Sequence, residues 1–205
     1  MFRRLLIIAG LAGLAALPAT ASAQNANPDW NHGTVSAYGD LFRIAPSGAP
    51  AVNYLGLGGR VGLNVDPWVA LEAEMNYDFV QSYTTTSSSG GQITTFTAKV
   101  RPLTGLFGPK FQFGASGPVR AFVVGKVGFV DFSTSCNAPA GSPSCFTGSL
   151  SGFGGSSTHV AVYPGGGFEF FGGPIGVRIE AGDQIYWNNG TNNNLRVTFG
   201  PTFRF

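Results

Sequence analysis

The run Leu195-Arg196-Val197-Thr198-Phe199-Gly200-Pro201-Thr202-Phe203-Arg204-Phe205 carries an apolar residue at every odd position and a small, polar or basic one at every even position. Period two is the pattern of a β-strand whose two faces meet different surroundings. Left unpaired, such a strand would offer a hydrogen-bonding edge and an apolar stripe to any neighbour. The segment is therefore expected to be one member of a larger sheet.

The rest of the chain supplies partners for it. Strand candidates run over Thr34 to Ile44, Tyr54 to Val65, Trp68 to Gln81, Thr95 to Phe113, Val119 to Phe132, His159 to Phe171, Ile175 to Trp187 and Leu195 to Phe205. Asp66-Pro67, Gly114-Ala115-Ser116-Gly117-Pro118 and Gly172-Gly173-Pro174 read as tight turns, because Gly and Pro supply the backbone angles that turns need. The connectors Ala45 to Asn53, Ser82 to Gly91, Ser133 to Thr158 and Asn188 to Asn194 are longer and rich in Ser, Thr, Asn and Gly. Short and long connections thus alternate, as in a bacterial membrane barrel with tight turns on one side and long loops on the other.

Alternation also sorts the side chains by face. Leu55, Leu57, Val61, Leu63 and Val65 share a face, with Tyr54, Arg60 and Asn64 on the other; Val69, Leu71, Ala73, Met75, Tyr77 and Phe79 oppose Glu72, Glu74, Asn76 and Asp78. Ile175, Val177 and Ile179 likewise oppose Arg178 and Glu180. A soluble barrel of lipocalin type would turn the apolar face inward. Against that stand the many glycines on the polar faces, which suit a narrow lumen, and the aromatics Trp68, Tyr77, Phe79, Phe113, Trp187 and Phe205 near strand ends, where membrane barrels place their girdles.

The amino end and the composition agree. Met1-Phe2-Arg3-Arg4, the apolar stretch Leu5 to Leu17 and the small residues Ala21-Ser22-Ala23 have the layout of a secretory signal peptide, expected to span 1–23. The apolar run is too short for a bilayer-spanning helix of about 20 residues. Removing Arg3 and Arg4 from 12 basic residues leaves 10, against 10 acidic. No basic excess points to nucleic acid. Only 11% of the chain is charged, low for a soluble surface.

Taken with the closing Phe205 and the hairpin from Gly108-Pro109-Lys110-Phe111 to Gly117-Pro118-Val119-Arg120, these features resemble the outer-membrane β-barrel family of small OmpA-like and OmpX-like proteins. The resemblance implies an all-β fold, an eight-stranded antiparallel up-and-down transmembrane β-barrel over 33–205, preceded by a short periplasmic segment over 24–32. It implies an assembly signal in Phe199, Phe203 and Phe205, and location in the bacterial outer membrane. The implied partners are outer-membrane lipid and, during biogenesis, periplasmic chaperones and the barrel assembly machinery; a monomer is expected. Unlike in the two-domain members of the OmpA group, no peptidoglycan-binding domain is expected after the barrel.

By parity Asp40, Arg60, Glu72, Glu74, Asp78, Lys110, Arg120, Lys126, Glu169, Arg178, Glu180, Arg196 and Arg204 face the lumen, joined by Lys99 and Arg101 if a bulge shifts the phase near Thr104-Gly105. Unpaired charge in a narrow bore costs several kcal/mol, so the two signs are expected to pair and close it. Asp131 and Asp183 fall on the lipid-facing parity and require a bulge or a place above the rim. Cys136 and Cys145, the only two cysteines, are expected to form a disulfide across one loop of an exported protein. Two thiols without nearby His or acidic ligands are too few for a structural zinc site. Of possible catalytic groups, His159 lies with Ser156 and Ser157, but Glu169 is ten positions further along the same strand, roughly 33 Å away. No cofactor fingerprint is present. The expected function is non-enzymatic, a structural or surface-recognition barrel with a closed lumen; a small-solute or ion channel and a lipid A modifying enzyme are the alternatives.

Overall fold

A computed structural model of the 205-residue chain describes residues 32–44, 51–89, 92–114, 118–137, 157–188 and 190–205. The strands are β1 (Gly33–Ile44), β2 (Val52–Asp66), β3 (Val69–Asp78), β4 (Gln81–Ser89), β5 (Gln92–Phe113), β6 (Val119–Asn137), β7 (Ser157–Gly172), β8 (Ile175–Trp187) and β9 (Thr191–Arg204). All pairings are antiparallel, and they run β1-β2-β3-β5-β6-β7-β8-β9 and back to β1. The sheet is a closed eight-stranded barrel.

The ninth segment does not add a stave. β3 and β4 continue one another along the same side of β5, with Tyr77 opposite Leu103 and Gln81 opposite Val100, separated only by Phe79 and Val80. Ser82 to Ser89, expected in a connector, is therefore strand, paired residue for residue with Gln92 to Lys99. β6 likewise extends past Phe132 to Asn137, β7 begins at Ser157 and β9 at Thr191. These Ser-, Thr- and Asn-rich extensions all lie at the loop end. They escape a period-two reading because their residues are mostly polar on both parities, and alternation shows only where the residues of the two faces differ.

Tight turns close the opposite end. Asp66 Oδ1 accepts a hydrogen bond of 3.0 Å from the Trp68 backbone N–H, which holds the β2–β3 turn in an Asx geometry. Gly173 sits at φ 69° between β7 and β8, a left-handed conformation that residues with a Cβ adopt only at a cost. The seam is sealed where Phe203 lies opposite Val35 on β1 and opposite Ile175 on β8. Beyond β9, the Phe205 carbonyl accepts from the His32 and Gly33 backbone N–H groups at 2.7 and 3.0 Å.

Candidate functional site

The interior is built in layers. At mid-height each of the eight staves contributes at least one charge: Asp40 from β1, Arg60 from β2, Glu72 and Glu74 from β3, Lys110 from β5, Lys126 from β6, Glu169 from β7, Arg178 and Glu180 from β8, and Arg196 from β9. Arg60 Nε lies 2.6 Å from Glu74, Lys126 Nζ 2.7 Å from Glu74 and 3.1 Å from Glu72, and Lys110 Nζ 2.9 Å from Glu169. Arg178 reaches Glu72 at 2.6 Å, Glu169 at 2.8 Å and also Glu180; Arg196 joins Asp40 at 3.0 Å and Glu74 at 2.9 Å. Five carboxylates thus meet five cations in one connected, neutral and almost wholly buried network. Aromatic faces line it: the Arg178 guanidinium is 4.0 Å from the Phe122 ring centre, and Arg60 is 4.7 Å from that of Tyr38.

Below it, toward the tight turns, Arg120 and the partly exposed Arg204 flank the Phe171 ring at 5.0 and 4.6 Å. Above it the bore changes character. Phe42, Ile44, Tyr54, Val100, Val130, Phe132, Ala161 and Tyr186 are buried there against one another, with Tyr83 packed on them and its hydroxyl 2.9 Å from that of Tyr54. Parity alone does not distinguish this apolar upper lumen from the charged layer, since each of its residues sits on the inward parity of its strand. Asp78, on the same face of β3 as the network, lies between the two layers, wholly buried.

Lys99 and Arg101 are not in the lumen. The β5–β6 register is unbroken from Phe107 opposite Val127 to Thr97 opposite Asn137, so there is no bulge at Thr104-Gly105 and both cations keep the outward parity. Arg101 donates to the Tyr77 hydroxyl at 2.9 Å on the outer wall. Asp131 and Asp183 also face outward, and hydrogen bonds relieve them: Asp131 accepts from Thr158 Oγ1 at 2.5 Å, and Asp183 from the Asn194 N–H at 2.7 Å.

Between these loop-end positions and the tight turns the outer wall is apolar. On β5 its outward residues run from Phe113 to Leu103, ten positions, which at ~3.4 Å per residue and a ~40° tilt span about 25 Å, the height of a lipid-facing band. Trp68, Phe113 and Phe205 are exposed at the turn end of that band, and Tyr77, Phe79 and Trp187 toward the loop end. Phe199 and Phe203 are exposed on the same belt.

The remaining candidates are less organised. His159 Nε2 lies 2.8 Å from Ser157 Oγ, and its ring lies tilted against those of Phe132 and Tyr186 at the outer mouth of the lumen. Glu169 is committed to Lys110 and Arg178 in the charge network, so it does not orient this histidine. Among the described residues no group of three or more His, Cys, Asp or Glu side chains could hold a metal ion. Cys136 lies on the outer extension of β6, and Cys145, residues 1–31 and Ser156 fall outside the described residues.

A closed antiparallel barrel with an apolar belt outside and a charged lumen inside is the fold of a small bacterial outer-membrane protein. Solved structures of that class match it. The attachment invasion locus protein Ail of Yersinia pestis superposes with a TM-score of 0.57 at 12% identity, over 85% of this chain and 99% of Ail. Neisserial surface protein A superposes with a TM-score of 0.50 at 10% identity, over 85% of this chain and 97% of the other. No family model and no curated protein sequence matches the chain.

Proposed function

We propose that the chain is a non-enzymatic outer-membrane barrel whose lumen is closed and whose role is structural or one of surface recognition. The observation that carries this reading is the double closure of the bore, by a neutral ion-pair network and above it by packed aromatic and aliphatic side chains. Opening a water path would require separating paired charges in a dry interior, at several kcal/mol for each ion left alone. What remains available to other molecules is the outer end, where β4, β5 and β6 carry the sheet beyond the apolar band. A recognition role fits that platform, on whose paired strands Ser82, Thr84, Thr95, Lys99 and Ser135 are exposed.

Single-channel recording on the refolded protein in planar bilayers tests the proposal. No stepwise conductance above the leak of protein-free bilayers is expected. Reproducible ion-conducting steps, altered in size by Glu74→Gln, would replace the closed-lumen reading with that of a channel.

A further inference from the structure

We propose that Arg101 and Lys99, on the outer face of β5, form a binding site for the phosphate-bearing head group of an outer-leaflet lipid.

Position motivates it. The lipid-facing band on β5 ends at Leu103, and Arg101 and Lys99 are the next two outward positions of that strand. At ~3.4 Å per residue and a ~40° tilt, Arg101 stands about 5 Å above the band, within a head-group layer about 5–8 Å deep. Lys99 stands about 10 Å above it, and its flexible stem spans the remainder. Charge is left open at the same place. Of the 10 acidic residues in the sequence, Asp40, Glu72, Glu74, Asp78, Glu169 and Glu180 lie inside, Asp66 is at a tight turn and Asp29 precedes β1. That leaves Asp131 and Asp183 toward the loop end. Asp183 is three strands away on β8, and Asp131 accepts from Thr158. Neither Arg101 nor Lys99 has an ion-pair partner among the described residues.

Arg101 is already held in place for an anion. The Tyr77 hydroxyl accepts from its Nη1 at 2.9 Å, the centre of the Tyr77 ring lies 4.9 Å from the guanidinium carbon, and Ser133 Oγ accepts from its Nη2 at 3.4 Å. Little side-chain entropy remains to be lost on binding, and each terminal nitrogen keeps one N–H for a phosphate oxygen. Lys99 is exposed between Ser82 on β4 and Ser135 on β6, whose hydroxyls add donors. A phosphate monoester carries about −1.5 to −2 charges at neutral pH, which two cations balance. Beneath the pair, Phe107 and Phe111 are exposed on the same strand. A lipid phosphate arrives with acyl chains that cover this wall, which favours a lipid over a free phosphate ion.

Native mass spectrometry of the refolded protein, released from detergent with dimyristoyl phosphatidic acid or with dimyristoylglycerol, tests the site. The two lipids share their chains and differ in the phosphate. One phosphatidic acid is expected to stay on the wild type, with an affinity at least about tenfold above that for the glycerol lipid. Lys99→Gln combined with Arg101→Gln is expected to weaken phosphatidic acid on the order of 20-fold, about fivefold for each cation removed, and to leave the glycerol lipid unaffected. Arg43→Gln, which removes one exposed charge at the same end on β1, is expected to change neither. Undiminished binding to the double variant overturns the proposal. So does a loss of about fivefold in Arg43→Gln, the result that diffuse rim charge would give. Inorganic phosphate in excess, set against chloride at equal ionic strength, is expected to leave the lipid in place; displacement would assign the two cations to a free anion and overturn the lipid site. Arg101→Gln also removes the contact with Tyr77. Should the double variant fail to refold, Lys99→Gln alone is expected to lose about fivefold in affinity, and an unchanged affinity counts against the site.

Discussion

Glu72 is within 4 Å of four cations, Arg178, Lys126, Lys110 and Arg60, and no water reaches it. Its neutralisation leaves those cations short of one negative charge in a confined interior. Glu72→Gln is expected to destabilise the barrel by about 3–5 kcal/mol, against less than about 0.5 for Ser135→Ala on the exposed wall. Urea or guanidinium midpoints read the difference, and equal midpoints would place the charge network outside the folding energetics. Glycine makes the same interior possible by its lack of volume. At Gly58 an added Cβ would stand 2.5 Å from the Tyr38 hydroxyl, because the ring lies flat on the strand beside it. Gly58→Val is expected to cost about 1–3 kcal/mol, partly recovered when Tyr38→Ala is combined with it. Both kinds of residue could be read from alternation alone, since parity assigns a face without any knowledge of contacts. What parity withheld was the pairing pattern, which depends on strand stagger around the ring, and the apolar upper layer. Phe42, Val100 and Phe132 lie on the same inward parity as the charges, but nothing in a period of two says at what height a lumen turns from polar to apolar.

Strands were legible where lipid and lumen differ and illegible beyond that band. Val69 to Asp78 alternates cleanly and forms β3; Ser82 to Ser89 does not alternate and forms β4 all the same, held by its ladder to β5. The β4–β5 hairpin belongs to the outer platform, and its β4 strand pairs with β5 and with no other strand among the described residues. It should therefore be separable from the barrel. Replacing residues 85–96 by an Asn-Gly turn that joins Thr84 to Thr97 is expected to leave refolding and the thermal midpoint unchanged within about 2 °C, since two-residue Asn-Gly loops are favoured hairpin connections. Loss of refolding would show instead that the hairpin is part of the unit that closes the ring.

Closure gives the molecule a physical property that no single strand has. With every mid-height strand paired on both sides, detergent finds no edge from which to unravel the sheet. Unboiled protein is expected to migrate differently from boiled protein in dodecyl sulfate gels; identical mobility, with solubility in plain buffer, would favour a water-soluble barrel. The ring also joins residues very distant along the chain, Thr34 with Arg204 in the ladder and Asp40 with Arg196 through their side chains. Contacts of such sequence separation form slowly, because the chain entropy of closing the long loop is lost before they can reward it. Until β9 docks, Asp40 lacks its cation and Glu74 lacks one of its three, so a barrel open at this seam would carry both the exposed edge and an unbalanced interior into the lipid. The seam contact thus links closure of the ring to neutrality of the interior: the same strand that removes the last edge supplies the last cation.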